Sequence, residues 1–168
     1  MEPYENNQYT SNTNGVLERY QTFILKFKKQ AVSSKLEFGI DIPFWFYGVN
    51  YNTKYGTGNV AEWLCENIKD ISIMAYRETA YKNTVTGQDG IIEIAAAQMK
   101  LFNKYNVKGT IAVETGRLND AISFVTFYEE GQAYMNQQLD LVYESYKNNP
   151  AFTGIAIHHF DSWMSMAK

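Results

Sequence analysis

Four short apolar segments, ending near Asp41, Ala75, Val113 and Ile157, constrain this chain more than any other feature. Each follows a stretch long enough for a helix. Their spacing of roughly 35 to 45 residues suits parallel strands joined by helical crossovers and is too wide for hairpins. A helix is expected from about Val16, with Val16, Tyr20, Phe23, Ile24, Phe27 and Ala31 on one face. The first strand ends near Asp41, and residues 47 to 58 read as loop. Asn59, with Glu62 three positions on, starts a second helix in the manner of a capping box. Ile71 to Ala75 is the next strand, and Asp89 is the expected N-cap of a helix carrying Ile92, Ala95, Ala96, Met99 and Phe102. The third strand runs from Lys108 to Val113 and ends at Glu114, and residues 115 to 131 form a long loop. A helix from about Gln132, burying Met135, Leu139, Val142, Tyr143 and Tyr146, leads to the fourth strand, Gly154 to Ile157. This last strand reads as buried on both faces, because no charge interrupts it and β-branched residues alternate with small ones.

Side chains alternate along a strand, so each segment has two faces. If Phe38 and Ile40, Ile71 and Ile73, Ile111 and Val113, and Ile155 and Ile157 face helices, the opposite faces end at Asp41, Tyr76, Glu114 and His158. All four strands then carry polar chemistry at their carboxyl ends. A doubly wound sheet would be apolar on both faces, whereas a closed barrel has helices outside only and its site at the mouth. The expected fold class is α/β, with parallel βα units forming four strands of a (β/α)8 TIM-type barrel. Residues 1–168 read as a single domain.

The bulk numbers exclude several alternatives. Hydrophobic residues at 45% and charged residues at 20% are those of a globular chain, not a disordered one. A net charge of −3 gives no electrostatic basis for binding nucleic acid or an anionic membrane. No run reaches the ~18 apolar residues of a membrane span. The opening MEPYENNQYT lacks the basic start and apolar core of a signal peptide, so a chain that begins at Met1 is expected in the cytoplasm. The lone Cys65 excludes an internal disulfide framework and reads as a buried thiol. No Gly-x-Ser-x-Gly, GxGxxG or Walker pattern occurs, and no cofactor is expected. The aromatic content, with 13 Tyr, 10 Phe and 3 Trp, suits sugar-stacking surfaces as well as ordinary cores.

Glu2-Pro3, VKGTIAVETG ending at Glu114, and FTGIAIHHFDSW with Trp163 beyond it together resemble the second half of a TIM-barrel glycoside hydrolase. The resemblance implies that the chain is the carboxyl-terminal half of the barrel, with Glu2 at the end of strand four and Glu114 at the end of strand seven. Those are the positions of acid/base and nucleophile in the large clan of retaining glycosidases. It also implies that Trp163 lies under the sugar, that Tyr76 sits where a tyrosine contacts the nucleophile, and that the substrate is a carbohydrate. A typical complete barrel needs ~250 residues. The chain therefore reads as a fragment, as one with a misplaced start, or as a half-barrel completed by a second chain or by self-association, and alone it is expected to be inactive.

Read as residues, Glu114 is the leading catalytic acid and Glu2 its partner. One carboxyl protonates the leaving oxygen while the other attacks or stabilises the oxocarbenium-like centre. On the bland reading, Glu2 is only a frayed terminus. Asp41, Tyr76, Arg77, His158, Asp161 and Trp163 are the expected substrate contacts, with Asp41 and Arg77 equally readable as a structural ion pair. His158, His159 and Asp161 are of metal-ligating type, but adjacent histidines on a strand face opposite ways, and no metal site is expected. A sugar-binding or assembly module without catalysis is the alternative function, and a metal-dependent hydrolase the weaker third.

Overall fold

The structure is a computed structural model that describes residues 3–168, apart from the side chain of Asp120. In chain order its elements begin with α1 (Thr13–Ser33), β1 (Ile40–Pro43) and a hairpin of β2 (Asn50–Thr53) and β3 (Gly56–Asn59). They continue with α2 (Val60–Asn67), β4 (Asp70–Met74), α3 (Ile91–Tyr105) and β5 (Lys108–Glu114). The chain closes with α4 (Gly131–Tyr146), β6 (Phe152–His158) and α5 (Phe160–Ser165). Short 3-10 turns lie at Pro3–Glu5, Phe44–Gly48 and Asp120–Val125. The fold is α/β: β1, β4, β5 and β6 form a four-stranded sheet in that order, every pair parallel.

The two-residue alternation sorts the sheet's faces as expected. Ile42, Ile71, Ile73, Ile111 and Val113 have no exposed surface and join Leu64, Met99, Phe102 and Val142 of the helices in one core. Met74, Ala112, Glu114, Ala156 and His158 lie on the opposite face and line an open cleft. At ~1.5–3 kcal/mol for each large apolar side chain, burial on the helix side is the main stabilising term. The buried Gln98 of α3 donates to the carbonyl oxygens of Pro43 and Phe44, which fastens the turn after β1 to that core.

Several local readings need correction. Residues 47 to 58 are not simply loop, because β2 and β3 pair antiparallel there and dock on α1 through Thr53–Gln21 and Thr22–Tyr55 hydrogen bonds. Only four residues long on each side, the hairpin gives too little alternation to read from sequence. The helix α1 starts at Thr13, where Asn12 accepts from the Gly15 amide, rather than near Val16. Asn59 does cap α2, accepting from the amides of Ala61 and Glu62, but Glu62 turns away to Lys104 instead of closing a box. The N-cap of α3 is Gly90, with Glu93 reaching back to its amide at 3.0 Å, while Asp89 pairs with Lys82. Tyr143 is 52% exposed rather than part of the buried face of α4. The strand β6 is not buried on both faces: it is the sheet's edge, and none of its residues is fully buried.

One irregularity in β6 matters for everything at the carboxyl edge. Gly109 pairs with Phe152, but Thr110 pairs with Gly154, so Thr153 is an extra residue in β6. Thr153 is held there by donating to the Gly109 carbonyl at 3.1 Å, and its hydroxyl also bonds that of Thr110. Gly154 follows with φ of 142°, a conformation that side chains other than glycine's rarely adopt. Gly154→Ala is therefore expected to cost ~1–3 kcal/mol, the scale of a strained backbone residue, read as a lowered urea midpoint with unchanged slope. Cys65 is fully buried, and burial pushes its thiol up to about 12. It is expected to resist alkylation by iodoacetamide in the folded chain and to react only when the chain unfolds.

Candidate functional site

At the carboxyl ends of the four strands lies a cleft of about 450 Å³, within the ~300–1,000 Å³ range of small-molecule sites. Met74, Ala112 and Ala156 make its floor, and Tyr4, Asp41, Tyr76, Glu114 and His158 surround it. The small side chains of β5 and β6 leave this floor low. Asp41, Tyr76, Glu114 and His158 thus converge, as the alternation requires.

Glu114 is the most constrained of them, a carboxyl only 8% exposed at the last position of β5. Its Oε1 accepts from the amides of Thr115 at 2.8 Å and Gly116 at 2.6 Å. Its Oε2 lies 2.8 Å from Nδ1 of His158. A Cβ on residue 116 would stand 3.0 Å from Oε1, so glycine is what lets the carboxyl sit against the backbone. The amide of Thr115 donates also to the His158 carbonyl, and its hydroxyl bonds the His158 and His159 carbonyls and Ser162 Oγ. Thr126 folds the long loop back, donating from its hydroxyl to the Gly116 carbonyl at 2.8 Å, while the Phe127 amide donates to the Glu114 carbonyl. The amides of Thr115 and Gly116 and the carbonyls of Glu114 and Gly116 are thereby tied to neighbours.

His158 stacks on Tyr76, ring centroids 6.2 Å apart at 19°. A neutral imidazole that donates through Nδ1 to the carboxylate keeps Nε2 as an acceptor. The pair of Glu114 and His158 can therefore hold a proton between defined atoms, or orient the ring for a group bound in the cleft.

Glu2, the expected partner carboxylate, lies outside the described residues. Asp41 is at the cleft and exposed, but it does not pair with Arg77. Arg77 instead donates from Nε to the Asp89 carbonyl and from Nη1 to the Tyr76 carbonyl, its guanidinium between the rings of Phe44 and Phe124. Asp161 is exposed in the first turn of α5, away from the cleft lining. Trp163 also lies outside that lining: it packs on the core and on Phe160, and its carbonyl accepts from Gln132. His159 caps α5, so the two histidine rings serve different elements. Among the described residues, no group of three or more His, Cys, Asp or Glu side chains could hold a metal ion. No described helix is long and apolar enough to cross a membrane.

Comparison with protein-family models, with curated proteins and with solved structures finds no match. The site's own geometry therefore carries its interpretation. Three of its residues escaped the sequence reading. Tyr4 lines the cleft from the amino-terminal turn, its ring 5.0 Å from that of Trp45. Nothing in the polar stretch YENNQYTSNTNG marks it. Thr115 and Thr126 hold the backbone around Glu114. The Thr-Gly pair after an acidic strand end was the one available signal for Thr115.

A carboxyl next to the site gives a pH test. Burial raises the Glu78 pKa, with the charges of Glu130 and Glu129 adding to it. A group held more tightly as the acid stabilises the fold fully below its unfolded pKa and loses that contribution as pH rises through the folded value. Glu78→Gln is expected to stabilise the chain at neutral pH, with the gain vanishing as pH falls below the ordinary carboxylate range of ~4, measured by thermal unfolding across pH.

Proposed function

We propose that this chain is half of a (β/α)8 barrel that acts on glycosidic bonds, with Glu114 as a catalytic carboxylate. The observation that carries the reading is the fixed Glu114 carboxyl, locked by two amides and His158 at the end of a parallel strand, beside an aromatic-walled cleft. Backbone amides only donate, so Oε1 can only accept, and any proton on this carboxyl sits on Oε2 beside His158. That arrangement suits a group that attacks or stabilises an oxocarbenium-like centre better than one that protonates the leaving oxygen. The remaining carboxylate role falls to Glu2 or to Asp41. Tyr76 and Tyr4 offer faces for a sugar ring, and His158 orients Glu114.

Completion of the barrel is part of the reading. Among the described residues both sheet edges are unpaired, and both are flanked by exposed apolar side chains: Phe27 and Val32 of α1 and Leu36 just after it on the β1 side, and Tyr143, Phe160 and Met164 of α4 and α5 beside β6. Further βα units, from a second chain or a second copy, would pair with those edges and cover that surface. One observation favours the second reading, a sugar-binding module without catalysis: among the described residues lining the cleft, Glu114 is the sole buried carboxyl.

Glu114→Gln keeps the shape of the side chain and separates the two. In the completed barrel it is expected to leave sugar binding within a few-fold and to cut turnover of aryl glycosides by at least ~100-fold. The chain alone is expected to show little or no turnover. Undiminished hydrolysis by the completed Glu114→Gln barrel would remove Glu114 from the chemistry, and absence of turnover in every assembly with sugar binding retained would establish the binding module.

A further inference from the structure

Beside the cleft, and sharing Tyr4, Met74 and Tyr76 with it, is a second chamber of about 220 Å³. Alone it is smaller than the ~300 Å³ at which ligand sites begin, but it shares a wall with the cleft, so a ligand of two linked rings could reach both. Its other walls are Pro43, Phe44, Trp45, Val125 and Arg77. All but Arg77 are apolar or aromatic.

Among the described residues, the cation in this chamber has no direct ion-pair partner: the charge of Asp89 acts on Arg77 without contact, and the Asp89 carboxylate is paired with Lys82 at 3.0 Å. Two backbone carbonyls accept from Nε and Nη1, and the faces of Phe44 and Phe124 lie 5.0 and 5.5 Å from the guanidinium carbon. Nη2 has no protein acceptor among the described residues. Burial lowers the Arg77 pKa, the mark of a charge that the protein solvates poorly. A partly desolvated guanidinium held by two carbonyls and close to two aromatic rings is prearranged for a planar anion, which its planar fork can meet with paired N–H donors.

Charge also orients whatever binds. Asp41 and Glu114 face the main cleft and repel an anion there, whereas Arg77 attracts one into the side chamber. We propose that the side chamber is a carboxylate subsite, and that the site takes an acidic sugar, a uronic acid unit placed with its carboxylate on Arg77 and the neighbouring ring beside Glu114. The proposal rests on the carbohydrate reading for the sugar, and on the Arg77 chamber alone for the anion.

Titration of the full chain at low salt tests the two parts separately, using an aldobiouronate (one uronic acid unit linked to a neutral sugar), its carboxyl-reduced neutral counterpart and phenylacetate as a carboxylate that is not a sugar. The aldobiouronate is expected to bind at least ~10-fold more tightly than the neutral disaccharide. Arg77→Gln should erase that preference while leaving neutral binding in place, and Arg77→Lys, which keeps the charge but not the fork, should restore only part of it. If neither disaccharide binds but phenylacetate does so through Arg77, the anion subsite stands and the carbohydrate reading falls. Equal binding of the two disaccharides by the wild-type chain, or an undiminished preference in Arg77→Gln, overturns the subsite and leaves the carbohydrate reading intact. Should Arg77→Gln not fold, the Nε resonance of Arg77 in the wild-type chain reads the same contact: it shifts with the aldobiouronate and phenylacetate if the subsite exists, and stays unmoved if it does not.

Discussion

Burial of the sheet on one face and not the other governs the architecture. The side chains of Ile42, Ile71, Ile73, Ile111 and Val113 are sealed by helices, which fixes the direction in which every strand presents its alternate residues. The face left over carries Ala112, Ala156 and Gly154, too small to build a second core. What it builds instead is a floor, with its polar residues gathered at the carboxyl ends. Parallel strands with crossover helices bring those ends to the same edge, so one cleft collects a residue from each strand or from the turn that follows it.

The same alternation explains how much was legible. Parallel pairing follows from the spacing of the four segments, and the grouping of Asp41, Tyr76, Glu114 and His158 from a period of two read in each of them. Contacts that depend on where a loop turns back did not follow. Thr126 reaches Glu114 across the long connection, and Arg77 settles between Phe44 and Phe124, which come from two different loops. Trp163 seemed placed for a sugar by its distance from β6, yet the short helix α5 rotates it onto the core. Asp41 lies in β1 and Arg77 just beyond the adjacent β4, but backbone carbonyls and aromatic faces claim the guanidinium first. Chain distance from a strand end locates a residue near the mouth without saying which way the following turn points it.

The extra residue in β6 connects the sheet to the site most directly. With Gly109 opposite Phe152, an uninterrupted ladder would set Glu114 opposite Ile157. Because successive side chains point to opposite faces, a shift of one residue would put the histidine out of step with the glutamate. Thr153 is the inserted residue, and Gly154 supplies the backbone conformation that absorbs it. From there Ala112 faces Ala156 and Glu114 faces His158, so the floor and the dyad are set by the same bulge. Thr115 then locks the result: its amide and hydroxyl both bond to the His158 carbonyl, and its amide also donates to Glu114. The separation of 2.8 Å between the carboxyl and the imidazole is thus a property of backbone register, enforced from β5, β6 and the turn between Glu114 and Gly116. A side-chain pair positioned in this way keeps its geometry whether or not a ligand is bound, which is what a preorganised site requires.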